Sequence, residues 1–341
     1  MTYWVVGVGA IGSVVAGKLA EHVDLVLVDA WREHVEAMVS RGLRVDYPEG
    51  SAQAHLPAFH LSDVGRIGSK PQVVLLAVKS YQTLQTVRHI EPYLSETSAV
   101  VSLQNSINEE TIASVVGAER TIGAVVRLDG NLRGPGHASS MHQQRKLTIG
   151  ELDGSMTDRL QAIARTLSAG IPTHMTGNIL GELWTKMVRN CEVNGLAAVT
   201  GLDTSLITAD PILCRVALGL GMEAVRVALE LGMVMNAVEL FGPPEAYLEP
   251  PGSPAMAKIE QGFKAAFANP FRPSTLQDVD KARPTEIDYI NGYVVTKGRE
   301  VGVPTPLNAA LVRLVNEVEA GHRARGAEIV RRALDDLLIG C

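Results

Sequence analysis

The sequence predicts an N-terminal α/β domain of doubly wound type, with a mainly parallel sheet, followed by an all-α domain. Three observations carry this. The first half alternates short apolar runs with amphipathic segments, and the second half is given over to long stretches rich in Ala, Leu, Met, Val and Glu. The apolar runs are continuous, as in parallel strands buried on both faces by helices. Finally, 341 residues, 46% of them hydrophobic, exceed one core of ordinary size and suit two domains, placed at 1–175 and 176–341.

Taken in order, residues 3–6, 25–28, 73–78 and 99–103 are the expected core strands, with helices at 11–21, 32–41 and 83–93 between them. Residues 121–128, 138–141 and 147–150 read as further strands that extend or close the sheet, around a turn-rich stretch at 130–136. Past about Pro172 strand signals fade. The most apolar later stretch, 212–235, is interrupted by Arg215, Glu223, Arg226 and Glu230, and so reads as a buried helix rather than a membrane span. Prolines at 243, 244, 250, 251 and 254 break any continuous helix through 237–271.

Composition excludes several classes of function. A net charge of -6 speaks against a general affinity for nucleic acid or anionic membrane, each of which needs a basic face. Cys191, Cys214 and Cys341 are odd in number and far apart, which points to neither a disulfide framework nor a cysteine metal site. The nine histidines show no close ligand spacing, so no metal is expected. The opening residues run straight into a glycine loop with no room for an export signal, and a cytoplasmic protein is expected.

That loop is Gly7-Val8-Gly9-Ala10-Ile11-Gly12. The pattern alone is weak, but here it follows an apolar strand, opens an amphipathic helix and precedes a second apolar strand ending at Asp29. Gly7 permits the tight turn, Gly9 lets the backbone approach a pyrophosphate, and Gly12 lets helix and strand pack closely. The pyrophosphate of a dinucleotide then meets the free amides around Ala10 and Ile11. Asp29 stands where a carboxylate accepts hydrogen bonds from the adenosine ribose, which favours NADH. Against this, Arg32 and Lys79 are cations placed to clasp a 2′-phosphate, so NADPH stays open and the balance leans only slightly to NADH.

Ligands of open α/β sheets sit at the carboxyl ends of strands, which marks Lys79-Ser80 and Gln104-Asn105. In the helical half, Lys186, Asn190 and Asn194 recur every four residues and therefore share one helix face. On spacing alone an exposed polar stripe is the favoured reading.

Across nearly its whole length the chain resembles the ketopantoate reductases (2-dehydropantoate 2-reductases). The glycine loop, Val78-Lys79-Ser80-Tyr81-Gln82, Leu103-Gln104-Asn105, Leu183-Trp184-Thr185-Lys186 with Asn190-Cys191 and Asn194, Ser274-Thr275-Leu276-Gln277-Asp278, Arg283-Pro284-Thr285-Glu286-Ile287-Asp288-Tyr289-Ile290-Asn291-Gly292 and Val303-Pro304-Thr305-Pro306-Leu307-Asn308 are similar to that family's motifs, in order. The resemblance implies a Rossmann-type domain followed by an all-α domain of the 6-phosphogluconate dehydrogenase C-terminal-like type. It implies that Lys186 is the general acid and that Glu286 binds the substrate hydroxyl and helps hold the lysine. Asn190, Asn194 and Ser274 would contact substrate, Asn105 would lie near nicotinamide and lysine, and Lys79 and Gln82 match cofactor-side positions. The reaction implied is NAD(P)H-dependent reduction of a 2-oxo acid, 2-dehydropantoate to (R)-pantoate in pantothenate biosynthesis, and analogy with the family suggests a homodimer.

Those residue types suit the chemistry. Hydride delivery puts negative charge on the carbonyl oxygen, which a cation can stabilise and then protonate. Two alternatives remain: an NAD-dependent 2-hydroxyacid dehydrogenase acting on another branched or aromatic acid, and a non-catalytic dinucleotide-binding sensor. Three departures bear on the substrate. Ser106 follows Asn105 where the family usually has glycine, so the loop path is expected to differ or to offer an extra hydroxyl. Gly195-Leu196-Ala197-Ala198 replaces a usual Pro-Leu-Thr. The 237–271 stretch is long, and Phe263, Phe267 and Phe271 are expected to line or cover a pocket for a bulkier acid.

Overall fold

In the computed structural model, residues 2–141 and 146–334 are described. Up to Leu180 the chain forms one compact unit, and from Gly181 a second. Cys341 lies outside the described residues.

The first unit runs β1 (Thr2–Val6), α1 (Ala10–Leu19), β2 (Asp24–Asp29), α2 (Arg32–Arg41), β3 (Leu43–Tyr47), β4 (Gly50–Ala54), β5 (Ala58–His60), β6 (Val73–Leu76), α3 (Thr83–Ile90), β7 (Ala99–Ser102), α4 (Glu109–Val116), β8 (Thr121–Arg127), β9 (Asn131–Gly134), β10 (His137–Ser139), β11 (Lys146–Glu151), α5 (Asp158–Ser168) and β12 (Thr173–Met175). The main sheet has the order β12-β11-β8-β7-β6-β1-β2-β5. Its pairs are parallel except for β8 with β11. Alternate residues of β1 enter two different cores. Tyr3 and Val5 pack with Val14, Leu19, Met38 and Leu160 on one face. Trp4 and Val6 pack with Val87, Ile90, Ile112 and Val116 on the other. Full burial of each such side chain stabilises by roughly 1.5–3 kcal/mol, which is why these strands carry no polar face. The sheet is therefore doubly wound, as the continuous apolar runs predict.

Three expectations fail here. Residues 138–141 do not extend the main sheet: β10 pairs in parallel with β3 and antiparallel with β9, in a separate sheet of order β4-β3-β10-β9. The stretch read as a turn holds β9, and only Pro135-Gly136 turns. The expected helix at 83–93 stops at Ile90, because Pro92 forces the last residues into a 3-10 turn.

The second unit contains α6 (Ile179–Thr200), α7 (Thr204–Ala209), α8 (Pro211–Glu230), α9 (Pro254–Ala266), α10 (Ser274–Asp280), α11 (Asn291–Val301), α12 (Pro306–Glu319) and α13 (Ala327–Leu334). α6 itself begins two residues before the division between units. Helix starts follow local chemistry. Asp210 accepts the Ile212 and Leu213 amides ahead of Pro211, and Ser253 accepts the Met256 amide ahead of Pro254. The apolar stretch from 212 is a buried helix ending at Glu230. Among the described residues no helix is long and apolar enough to cross a membrane.

Candidate active site

β1 lies between β2 and β6, so the chain leaves it in opposite directions and opens a crevice at its carboxyl end. The glycine loop fills that point. Gly7 has φ +89°, and a Cβ there would stand 2.7 Å from the Val78 nitrogen. A Cβ on Gly12 would stand 2.0 Å from the Gly7 carbonyl oxygen, which explains why the helix can begin so close to the strand. Gly9 instead faces open space, with nothing within 4 Å of a Cβ, and no side chain caps the start of α1 at Ala10 and Ile11. Free amides beside open space fit the pyrophosphate of a nicotinamide dinucleotide.

Three side chains hold the middle of this loop. Asp29 accepts the Val8 amide at 2.7 Å through one carboxylate oxygen and the Trp31 amide at 2.8 Å through the other. The Val8 carbonyl accepts from the Ser13 hydroxyl at 2.9 Å and from His34 Nε2 at 2.8 Å. His34 Nδ1 accepts the Gly136 amide at 2.8 Å, so the ring is neutral with its proton on Nε2. Burial pushes His34 below its ordinary value, partly opposed by the Asp29 charge. His34 is absent from the sequence reading, because its role depends on a turn a hundred residues away.

The ends of β6 and β7 are tied together by a buried amide network. Gln104 Nε2 donates to the Val78 carbonyl and to Thr83 Oγ1, at 2.9 and 2.7 Å. Asn108 Nδ2 donates to the Asn105 carbonyl at 2.7 Å and to Ser80 Oγ at 3.1 Å. Gln104, singled out above as a ligand candidate, is thus a buried strut, whereas Asn105 and Lys79 are half-buried and Gln82 is exposed. Ser106 takes φ +70°, a left-handed conformation that favours glycine, with its side chain buried. Burial pushes neighbouring Glu109 up to about 7.

In the second unit Lys186, Asn190 and Asn194 all lie on α6, the first two half-buried and Asn194 buried. The segment holding Glu286 runs beside this helix. Asn291 Nδ2 donates to the Cys191 carbonyl at 3.3 Å, and the Trp184 and Tyr293 rings lie 5.7 Å apart. Gly195 makes the approach close, since a Cβ there would stand 2.8 Å from Leu311 and 3.0 Å from Ile287. Glu286 is itself buried, and Ser274 opens α10 half-buried. Asn291, quoted above only as part of a motif, also donates to Asn308 Oδ1 at 2.8 Å, and Asn308 reaches Glu223 on α8. These amides fasten α6, α8, α11 and α12 together.

The family model described as ketopantoate reductase PanE/ApbA matches residues 3–154, and its C-terminal counterpart matches residues 178–319. The chain belongs to the ketopantoate reductase family. It is accordingly an oxidoreductase acting on a CH–OH group with NAD(P). A 2-dehydropantoate 2-reductase of Pyrococcus horikoshii is 28% identical over 323 residues, covering 94% of this chain and 98% of that one. One of Lactococcus lactis is 28% identical over 331 residues, covering 95% and 100%. Among solved structures, a PanE/ApbA family ketopantoate reductase from Ralstonia eutropha superposes with a TM-score of 0.80 at 26% identity, over 95% of this chain and 100% of that one. D-mandelate dehydrogenase with NADH and anilino(oxo)acetate gives 0.82 at 24% identity, over 94% and 99%, a likeness of fold.

Of the three phenylalanines in 237–271 that the sequence marks, Phe263 is fully buried, it and Phe267 lie against Arg189 of α6, and Phe271 is exposed.

Proposed function

We propose that this ketopantoate reductase family member reduces a 2-oxo acid to the 2-hydroxy acid, with 2-dehydropantoate as substrate and (R)-pantoate as product, in pantothenate biosynthesis. The observation that carries the reading is the stripe of Lys186, Asn190 and Asn194 on a helix against which the Glu286 segment is docked. The dinucleotide, held by Gly7, Gly9, Ala10, Ile11, Gly12 and Asp29, supplies the hydride. The Lys186 ammonium stabilises charge growing on the carbonyl oxygen and then donates its proton there. Glu286 accepts the hydrogen of the substrate hydroxyl and helps orient the lysine, and Asn190, Asn194 and Ser274 offer donors to the carboxylate. Asn105 sits on the nicotinamide side, with Lys79 and Gln82 along the cofactor.

NADH is the preferred cofactor in this reading. Asp29 places its carboxylate at the end of β2, where it repels a 2′-phosphate. Arg32 lines a recess of about 420 Å³ together with Glu36, Asp63 and Arg66, and acids in that company make a poor phosphate clasp. The same Asp29 favours a second reading, an NAD-dependent dehydrogenase of a larger branched or aromatic 2-hydroxy acid.

The test is turnover of purified protein with 2-dehydropantoate and with aromatic 2-oxo acids, each with NADH and NADPH. Oxidation of NADH by 2-dehydropantoate supports the first reading. Turnover of an aromatic acid alone moves the substrate to the second. Tight NADH binding with no reaction on either kind of acid refutes both substrate readings.

A further inference from the structure

Two stripes run along α6. Lys186, Asn190 and Asn194 form one. Glu182, Thr185, Arg189 and Glu192, at steps of three and four, form another, rotated by about 120° at 100° per residue. Every member of the second stripe is engaged by residues 236–267. The Asn236 amide donates to Thr185 Oγ1 at 2.8 Å, and Asn236 Nδ2 donates to Glu182 at 3.2 Å. Three of the five phenylalanines in the chain surround Arg189, whose guanidinium carbon lies 4.5 Å from the Phe241 ring centre, 5.1 Å from Phe263 and 5.0 Å from Phe267. All are within the range of cation–π attraction. Arg189 Nη1 pairs with Glu192 at 2.6 Å, and the Tyr247 hydroxyl donates to the other oxygen of that fully buried carboxylate at 3.1 Å.

The surroundings are cut to fit this group. Gly221 on α8 leaves room for Glu192, since a Cβ there would lie 2.6 Å from its oxygen. Gly262 on α9 leaves room for Phe241, whose ring would lie 2.5 Å from a Cβ, and Phe241 itself is held at φ +63°. A carboxylate and a guanidinium are expensive to remove from water, and apolar residues would fill the same space without that cost. What an ion pair adds over them is a single permitted arrangement.

We infer that Arg189 and Glu192 are positioning residues: residues 236–267 form a clasp that fixes the rotation of α6 through the Arg189–Glu192 pair, and with it the aim of Lys186 and Asn190 at substrate. This rests on the proposed role of Lys186.

The experiment compares the wild-type chain with Arg189→Met, Glu192→Gln and the double variant Arg189→Met/Glu192→Val. Turnover and amide hydrogen exchange along α6 are both measured. Each single change is expected to lower kcat by about tenfold to a hundredfold, the scale of a misplaced catalytic group, with KM for NADH unchanged and exchange at residues 183–195 faster. The double variant, which leaves no lone buried charge, is expected to regain the melting temperature lost by the single ones while keeping the low kcat and fast exchange. Wild-type kcat and exchange in the double variant, or in both single ones, would overturn the inference. If the wild type turns over no 2-oxo acid, the role of Lys186 fails on its own account. Exchange then decides alone: faster in the variants supports the clasp, unchanged refutes it.

Discussion

Asp29 and Glu192 are both carboxylates that tie down a segment carrying proposed site residues, the glycine loop and α6, and they do it under opposite conditions. Asp29 is half-buried and accepts two backbone amides, from 21 residues earlier and two residues later. Glu192 is fully buried, pairs with a guanidinium one turn away and takes a hydroxyl from 55 residues further on. The glycine loop is thus shaped mainly by backbone geometry, and α6 by side chains brought from afar. Damage to the first should fall on binding, and damage to the second on turnover.

The sharpest break is Lys186→Ala, expected to lower turnover by roughly a hundred- to ten-thousand-fold with the NADH dissociation constant almost unchanged. Kinetics with parallel NADH titration check it, and an unaltered kcat removes Lys186 as the acid. Gly12→Ala should do the reverse. Its methyl meets the Gly7 carbonyl, so NADH affinity should collapse, together with about 1–3 kcal/mol of stability. Retained affinity would mean that α1 can shift without disturbing the loop.

Acidity separates two buried groups of the first unit. The native Glu109 value of about 7 lies above the unfolded one, so its contribution is full below about pH 4.5 and is lost as pH rises through 7. Melting curves should show that loss, on the order of a few kcal/mol, and Glu109→Gln should flatten it. His34 works in the other sense. Its native value is depressed, so its contribution is full above pH 6.5 and is lost as pH falls through the native value, when protonated Nδ1 can no longer accept from Gly136. NADH affinity should weaken on that acid limb in the wild type and stay level in His34→Gln. The smallest change is Ser106→Gly, expected to raise stability by about 0.5–1 kcal/mol by relieving a left-handed serine. A destabilised variant would show that the buried hydroxyl matters more than the backbone.

The same contrast explains what the residues reveal unaided. A strand, a glycine turn and a helix are neighbours in sequence, so Gly7 to Gly12 and Asp29 announce their arrangement through spacing alone. Spacing likewise puts Lys186, Asn190 and Asn194 on one helix face. It is silent on the strut roles of Gln104, Asn291 and Asn308, which are buried amides whose partners lie on other elements. The second sheet escapes for a similar reason: β10 is three residues long and pairs with a strand some ninety residues earlier. The clasp did leave a trace, in two opposite charges three residues apart within an apolar helix and a cluster of scarce phenylalanines. Only the fold joins them.

The start of α12 has a consequence for how the second unit assembles. Its first amides, Leu307 and Asn308, are capped by Glu223 at 2.8 and 2.9 Å, from 84 and 85 residues earlier. A helix whose cap comes from so far back gains little by winding early, since the loop must close before the cap can act. α8 and α12 should therefore order in one step rather than in succession. A ribosome-bound chain that ends before Pro306 would leave the Glu223 carboxylate without its Leu307 and Asn308 donors, a folding debt settled only when the last helices emerge.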